Sequence, residues 1–212
     1  MKKVLVVGGA NGVGLAITKV LTARKEIEKV YIVDKSPLSE EYKEDKIEDY
    51  LFDLNGADYS IFNQFAEIDG LMITAGFGRL ALFEDIPEPM IATYFNVNTI
   101  AIIRIIKIFY DRLLSKEDFY CGVMDSIAGW MSSPFFAVYG ASKAALKIFI
   151  ESVNVELLKG GSKNVILNVS PGFINGSSFY GKDNDLDALR PLTNDILEHL
   201  EAKDDLFITT YE

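Results

Sequence analysis

Short runs of β-branched and apolar residues alternate along the chain with longer stretches whose apolar positions recur at helical spacing. Val4–Val7, Val30–Val33, Tyr50–Leu54, Leu71–Thr74, Phe119–Met124 and Val165–Val169 read as strands, with Leu206–Thr210 as a last one. Gly12–Arg24, Met90–Leu114, Tyr139–Leu158 and Leu186–Ala202 read as helices. Strands that are apolar throughout must be covered on both faces, and the intervening helices supply the cover. The pattern predicts an α/β fold with a doubly wound, mostly parallel, seven-stranded sheet and helices on both faces. No internal repeat or linker interrupts it, so residues 1–212 are expected to form one domain.

Composition narrows the function classes. Hydrophobic residues make up 49% of the 212 positions, enough for a continuous core, which argues against disorder. A net charge of -10 without a basic cluster argues against a nucleic-acid partner. Cys121 is the only cysteine and lies in the apolar run 119–124. It makes no internal disulfide or metal site alone and reads as a buried, inert thiol. His199, the only histidine, sits in an acidic helical segment with no visible Ser-His-Asp relay. The excess of acids after residue 182 reads as a solvated face. The apolar stretch Thr99–Tyr110 carries Arg104 and Lys107 and reads as too short and too charged to span a bilayer. No secretory signal is apparent, so a cytoplasmic protein without a membrane partner is expected.

The first strand runs into Gly8-Gly9-Ala10-Asn11-Gly12-Val13-Gly14, and a helix follows. Glycines there allow a tight turn and close approach of the backbone to a pyrophosphate. The helix N-terminus adds free N–H groups and a positive dipole end. With strand, turn and helix in this order, the turn makes the fold Rossmann-type and marks a dinucleotide site. Asp34 ends the second strand 20 residues after Gly14, where a carboxylate accepts from an adenosine ribose and repels a 2′-phosphate. NAD is therefore expected over NADP, with Lys35 softening the preference. Asp53 and Leu54, closing the third strand, are candidates for contact with adenine.

Tyr139 and Lys143 lie four residues apart on one helix face. An ammonium about 5 Å from a phenol contributes roughly 3 kcal/mol at an effective dielectric near 20. That lowers the phenol by about two pKa units from its usual value of about 10. Such a pair suits proton transfer at a substrate oxygen, although the spacing alone also fits a helix-surface pair. Ser126 ends the fifth strand, 13 residues before Tyr139, at the carboxyl edge where open α/β sheets hold ligands. Its hydroxyl can hold a carbonyl oxygen beside the phenol.

In this order and spacing, the motifs resemble the short-chain dehydrogenase/reductase family, in its short single-domain branch, from Val4 to about Ile174. Val7–Gly14 is similar to the family's T-G-x-x-x-G-x-G turn. Thr74-Ala75-Gly76 stands in place of N-A-G, and Pro171-Gly172 matches the P-G after the sixth strand. Asn98, Ser126, Tyr139 and Lys143 match the catalytic residues. The resemblance implies that Tyr139 is the general acid/base, that Lys143 lowers its pKa and binds the nicotinamide ribose, and that Ser126 orients the substrate. It also implies that Asn98 holds a water in a proton relay, that Asp53 meets adenine and that Ile174 meets the nicotinamide amide. Gly8, Asn11, Gly12, Val13, Gly14, Ala75, Gly76, Pro171 and Gly172 would complete the cofactor site. Val7 and Thr74 depart from the family's threonine and asparagine, so the bracing of the turn must differ.

A short substrate loop is expected near residues 173–190, with Ser177 or Ser178 in place of a missing threonine and Phe179 and Tyr180 closing over the substrate or packing locally. Trp130, Met131, Phe135 and Phe136 either wall an apolar pocket or pack in the core. The expected activity is hydride transfer between NAD(H) and a small alcohol or carbonyl compound. A catalytically silent cofactor sensor or scaffold is the alternative. A sugar-nucleotide epimerase is disfavoured because the expected long C-terminal domain is missing. The apolar faces of the helices around Ile100–Ile108 and Ala141–Leu158 predict a homodimer or homotetramer.

Overall fold

The computed structural model describes residues 1–176 and 185–209. Ser177, Ser178, Phe179 and Tyr180 lie outside the described residues. Seven strands, β1 (Lys3–Val7), β2 (Lys29–Asp34), β3 (Ile47–Leu51), β4 (Gly70–Ile73), β5 (Tyr120–Met124), β6 (Ile166–Pro171) and β7 (Leu206–Thr209), form one sheet. Their order is β3-β2-β1-β4-β5-β6-β7, and every pair is parallel, so the sheet is parallel throughout rather than mostly so. The order reverses between β1 and β4, which opens a crevice at the carboxyl ends of the central strands. Register puts Val7 beside both Val33 and Ile73, and Ile73 beside Val123, so the loops after these strands leave from one edge.

Successive residues of β1 serve opposite cores, as strand geometry requires. Val4 and Val6 pack with Ile17, Leu21, Leu167 and Ile196 under α1 (Gly12–Thr22) and α6 (Leu186–Ala202). Leu5 and Val7 pack with Ile102, Ile105, Leu146 and Ile150 under α3 (Ala101–Ile108) and α5 (Ala137–Lys159). This two-sided burial is why the strands read as unbroken apolar runs.

Most element ends fall within two residues of the sequence expectation, and two elements differ by more. The third strand is Ile47–Leu51, not Tyr50–Leu54, because pairing with β2 aligns Val30 with Ile47 and Asp34 with Leu51. β3 is an edge strand with exposed Glu48 and Asp49, so its own signal is weak. The apolar residues after it belong to a loop in which Phe52 meets Tyr59 and Phe62 edge-on. The expected helix Met90–Leu114 is divided into α2 (Glu88–Phe95), a π turn (Asn96–Ile100), α3, and α4 (Tyr110–Leu114) beyond a bend at Phe109. The wider π turn brings both Asn98 and Thr99 inward, where Thr99 donates to the Ser142 carbonyl at 2.8 Å. No proline or glycine lies in that stretch to announce the break. The helical run 88–108 is long and apolar enough, by length and composition, to cross a membrane. In the fold, Ala101, Ile102, Ile105 and Ile106 from it lie buried against the sheet.

Candidate active site

The turn after β1 is held together by close contacts that permit no side chain. Gly8 has φ +86°, and a Cβ there would lie 2.5 Å from the Ala75 nitrogen. A Cβ on Gly14 would lie 2.1 Å from the Gly8 carbonyl oxygen, so α1 rests directly on the turn. Thr74 donates its hydroxyl to the carbonyl oxygens of Val7 and Gly8, 3.1 Å from each. The hydroxyl absent at Val7 is thus replaced from the neighbouring strand. Asp34 accepts the backbone amides of Ala10 and Ser36, each at 3.0 Å. The first turn of α1 contains no acidic residue that would repel an anion at its N-terminus.

Ser126 follows β5 and accepts the Ala128 amide at 3.2 Å, which starts the short turn Ile127–Gly129. Tyr139 and Lys143 occupy the first two turns of α5 and are both buried. The Lys143 ammonium donates to the Met124 carbonyl oxygen at 2.8 Å and lies 6.0 Å from the Tyr139 ring centre. Burial pushes the Lys143 pKa down, and the Asp125 carboxylate works against that. Asn98 is fully buried, and its amide grips both backbone groups of Phe77, at 3.0 and 2.9 Å, and reaches Ser142 at 3.2 Å.

Apart from Asn98, the site residues foreseen from the sequence line one cleft of about 1070 Å³. Gly8, Asn11, Gly12, Val13, Gly14, Asp34, Asp53, Leu54, Ala75 and Gly76 line it from the β1–β4 side. Ser126, Tyr139, Lys143, Pro171, Gly172 and Ile174 line it from the β5–β6 side. Asn98 does not line it but sits behind Phe77, which does. Met131 and Phe136 reach the cleft wall, whereas the Trp130 indole N–H donates to the Ser170 hydroxyl at 3.0 Å. Phe135 has φ +68° and an exposed ring.

Sequence reasoning missed Phe77, Met90, Thr93 and Val97, which also line the cleft; no periodicity separates them from core residues. It missed Asp125 as well, although an acid closing an apolar strand run was a visible signal. The glycine turn, the uncharged helix start and the ribose-level carboxylate together fit a dinucleotide. Cys121, in β5, is buried in the core with its thiol pKa pushed up by burial, and it does not line the cleft.

Residues 2–185 match the family model described as short chain dehydrogenase. Human 17-beta-hydroxysteroid dehydrogenase type 1 is 32% identical over 104 residues, 49% of this chain and 32% of that enzyme. Carbonyl reductase family member 4 from Xenopus tropicalis is 27% identical over 201 residues, 87% of this chain and 81% of that one. The chain spans only 32% to 61% of the length of three of its relatives, the human enzyme among them. A short chain dehydrogenase from Burkholderia cenocepacia, solved in complex with NADP, superposes with a TM-score of 0.81 at 19% identity, covering 100% of this chain and 90% of that one. That likeness shows the fold. The family match over most of the chain, on a parallel sheet of this order, makes the protein a member of the short-chain dehydrogenase/reductase family of oxidoreductases.

Proposed function

We propose that the protein transfers a hydride between a nicotinamide cofactor and a small alcohol or carbonyl compound, with Tyr139 as general acid/base and NAD(H) preferred over NADP(H). The observation that carries this reading is that Ser126, Tyr139 and Lys143 line the same cleft as the glycine turn. When bound, the cofactor supplies or accepts the hydride. Tyr139 gives its phenolic proton to the substrate oxygen in reduction and takes it back in oxidation. The Lys143 ammonium favours the phenolate and holds the nicotinamide ribose. The Ser126 hydroxyl donates to the substrate oxygen and fixes it beside the phenol. Asn98 acts through the backbone of Phe77, which it fastens at the cleft wall. At the other end, the Asp34 carboxylate disfavours a 2′-phosphate.

Phe77, Met90, Val97, Met131, Phe136 and Phe173 give the remaining wall an apolar character, which supports an uncharged substrate. A panel of carbonyl compounds tested with NADH and NADPH examines the reading. At least one carbonyl is expected to be reduced. Tyr139→Phe is expected to keep cofactor affinity and lose about 10²- to 10⁴-fold in turnover. Undiminished turnover in that variant overturns the mechanism. A wild-type protein that binds NADH and reduces nothing favours the sensor or scaffold reading.

A further inference from the structure

Asp125 directly precedes Ser126 at the carboxyl end of β5 and is 2% exposed. Its Oδ2 accepts the Asn168 side-chain amide at 3.3 Å. Asn168 in turn accepts the Ser170 hydroxyl at 2.8 Å, and Ser170 accepts the Trp130 indole N–H at 3.0 Å. Every donor in this chain points toward Asp125, the polarity that an ionised carboxylate at its end favours. The other oxygen, Oδ1, is one of two buried side-chain polar atoms among the described residues with no hydrogen-bond partner. A half-satisfied buried carboxylate is costly to the fold, so packing alone does not explain an acid here.

A second buried charged group in the same cleft does explain it. Lys143 is also 2% exposed, and its ammonium is bonded to the carbonyl of Met124, the residue just before Asp125. Loss of hydration opposes that buried charge, and Asp125 is the charge that favours it. From α5, both Lys143 and Lys147 act on Asp125; from β6 it meets Asn168, and from its own strand end the Ser126 backbone. Lys147 is engaged elsewhere, 4.2 Å over the Trp130 ring and 2.9 Å from Glu151. Asp125, Tyr139 and Lys143 thus line the same cleft, with the Lys143 ammonium 6.0 Å from the Tyr139 ring centre and bonded to the carbonyl next to Asp125.

We propose that Asp125 is a positioning residue whose carboxylate, held by the Asn168–Ser170–Trp130 chain, keeps buried Lys143 charged beside Tyr139. The role rests on Tyr139 being the acid/base, but it is measurable without turnover. Tyr139 ionisation is read, in the absence of cofactor, from the ultraviolet difference between each protein and its Tyr139→Phe counterpart. In Asp125→Asn the ammonium should be lost before the phenol ionises, raising the Tyr139 pKa by about one unit or more. Lys143→Met should raise it similarly and abolish any further effect of Asp125→Asn. Asp125→Ser, smaller and equally neutral, should repeat the shift if the asparagine variant does not fold by circular dichroism. An unchanged or lowered Tyr139 pKa overturns the proposal, and so do two unfolded variants, which would make Asp125 structural. A protein without NADH-linked turnover would overturn the proposed function while leaving this titration to decide the role of Asp125.

Discussion

Asp34 accepts the backbone amide of Ala10 at 3.0 Å, so a carboxylate that lines the cofactor cleft also fastens the glycine turn. Its second oxygen holds the Ser36 amide at 3.0 Å. One side chain therefore both lines the cleft and fixes the geometry of the turn, and the cofactor preference proposed above rests on the same carboxylate.

Substitution separates these two roles. Asp34→Asn keeps an acceptor for Ala10 and removes the charge. A unit charge about 4 Å away contributes roughly 4 kcal/mol at an effective dielectric near 20. NADPH affinity relative to NADH should therefore rise by about tenfold or more. Asp34→Ala should in addition cost about 1–3 kcal/mol of stability by leaving two amides without their acceptor. Fluorescence titration with both cofactors and thermal melts check this. An unchanged affinity ratio would remove Asp34 from cofactor choice.

Gly14 and Thr74 test the brace of the turn. Gly14→Ala would set a Cβ 2.1 Å from the Gly8 carbonyl oxygen and 2.4 Å from the Thr74 hydroxyl. Backbone on one side cannot yield, so the expected loss is about 3 kcal/mol or more. Thr74→Ala in the same protein should not rescue it, because the Gly8 carbonyl remains. Thr74→Val alone removes the hydroxyl's bonds to Val7 and Gly8 and should cost about 1 kcal/mol. Urea unfolding midpoints distinguish these outcomes.

The residues that proved legible in the sequence share one property: local spacing determines where they go. Gly8, Gly12 and Gly14 sit on a strand-to-helix turn, and Tyr139 and Lys143 share a helix face, so their placement follows from period alone. Phe77 and Asp125 interact with partners at long range, Asn98 and Lys143, which no spacing shows. Asn98 lies within a π turn whose extra residue leaves no mark in the hydropathy pattern. The β3 boundary was misplaced for a related reason: an edge strand exposes Glu48 and Asp49, while the apolar signal belongs to the following loop.

Assembly is open to a direct test. Ile100 and Ile108 are exposed on one helical run, and Ile148, Val155 and Leu158 on α5. Ile148 and Val155 lie two turns apart on one face. We propose that these faces pair copies of the chain about a two-fold axis. Light scattering should give a dimer or tetramer. Ile148→Glu combined with Val155→Glu should give monomers with unchanged circular dichroism. A monomeric wild type at micromolar concentration defeats the proposal.

Ser126 and Lys143 should fail in different ways. Ser126→Ala removes a donor to the substrate oxygen and should cost about 10²-fold or more in turnover with NADH affinity unchanged. Lys143→Met keeps an unbranched side chain one atom shorter and leaves the Met124 carbonyl without its donor. It should weaken NADH binding and turnover together. Titration of NADH and single-turnover rates on the same samples separate the two patterns. Equal losses of binding in both variants would contradict the assigned roles.

The Asp125 carboxyl offers a stability measurement independent of any substrate. Burial raises its pKa to about 6, and Lys143, Asn168, the Ser126 backbone and Lys147 offset that only in part. An unfolded aspartate titrates near about 3.9. The folded state thus holds this proton more tightly than the unfolded chain does. Its stabilising contribution is fully present below about 3.9 and is lost as pH rises through about 6. Between pH ~4 and ~7 the wild type should therefore lose roughly 2 kcal/mol relative to Asp125→Asn, since one unit of pKa corresponds to about 1.4 kcal/mol. Urea unfolding of both proteins across that range gives the difference directly. A constant difference would mean that Asp125 ionises as freely in the fold as in the unfolded chain. A growing one would show that the protein carries an ionised acid at neutral pH against its own stability, as expected where the charge serves Lys143 rather than the fold.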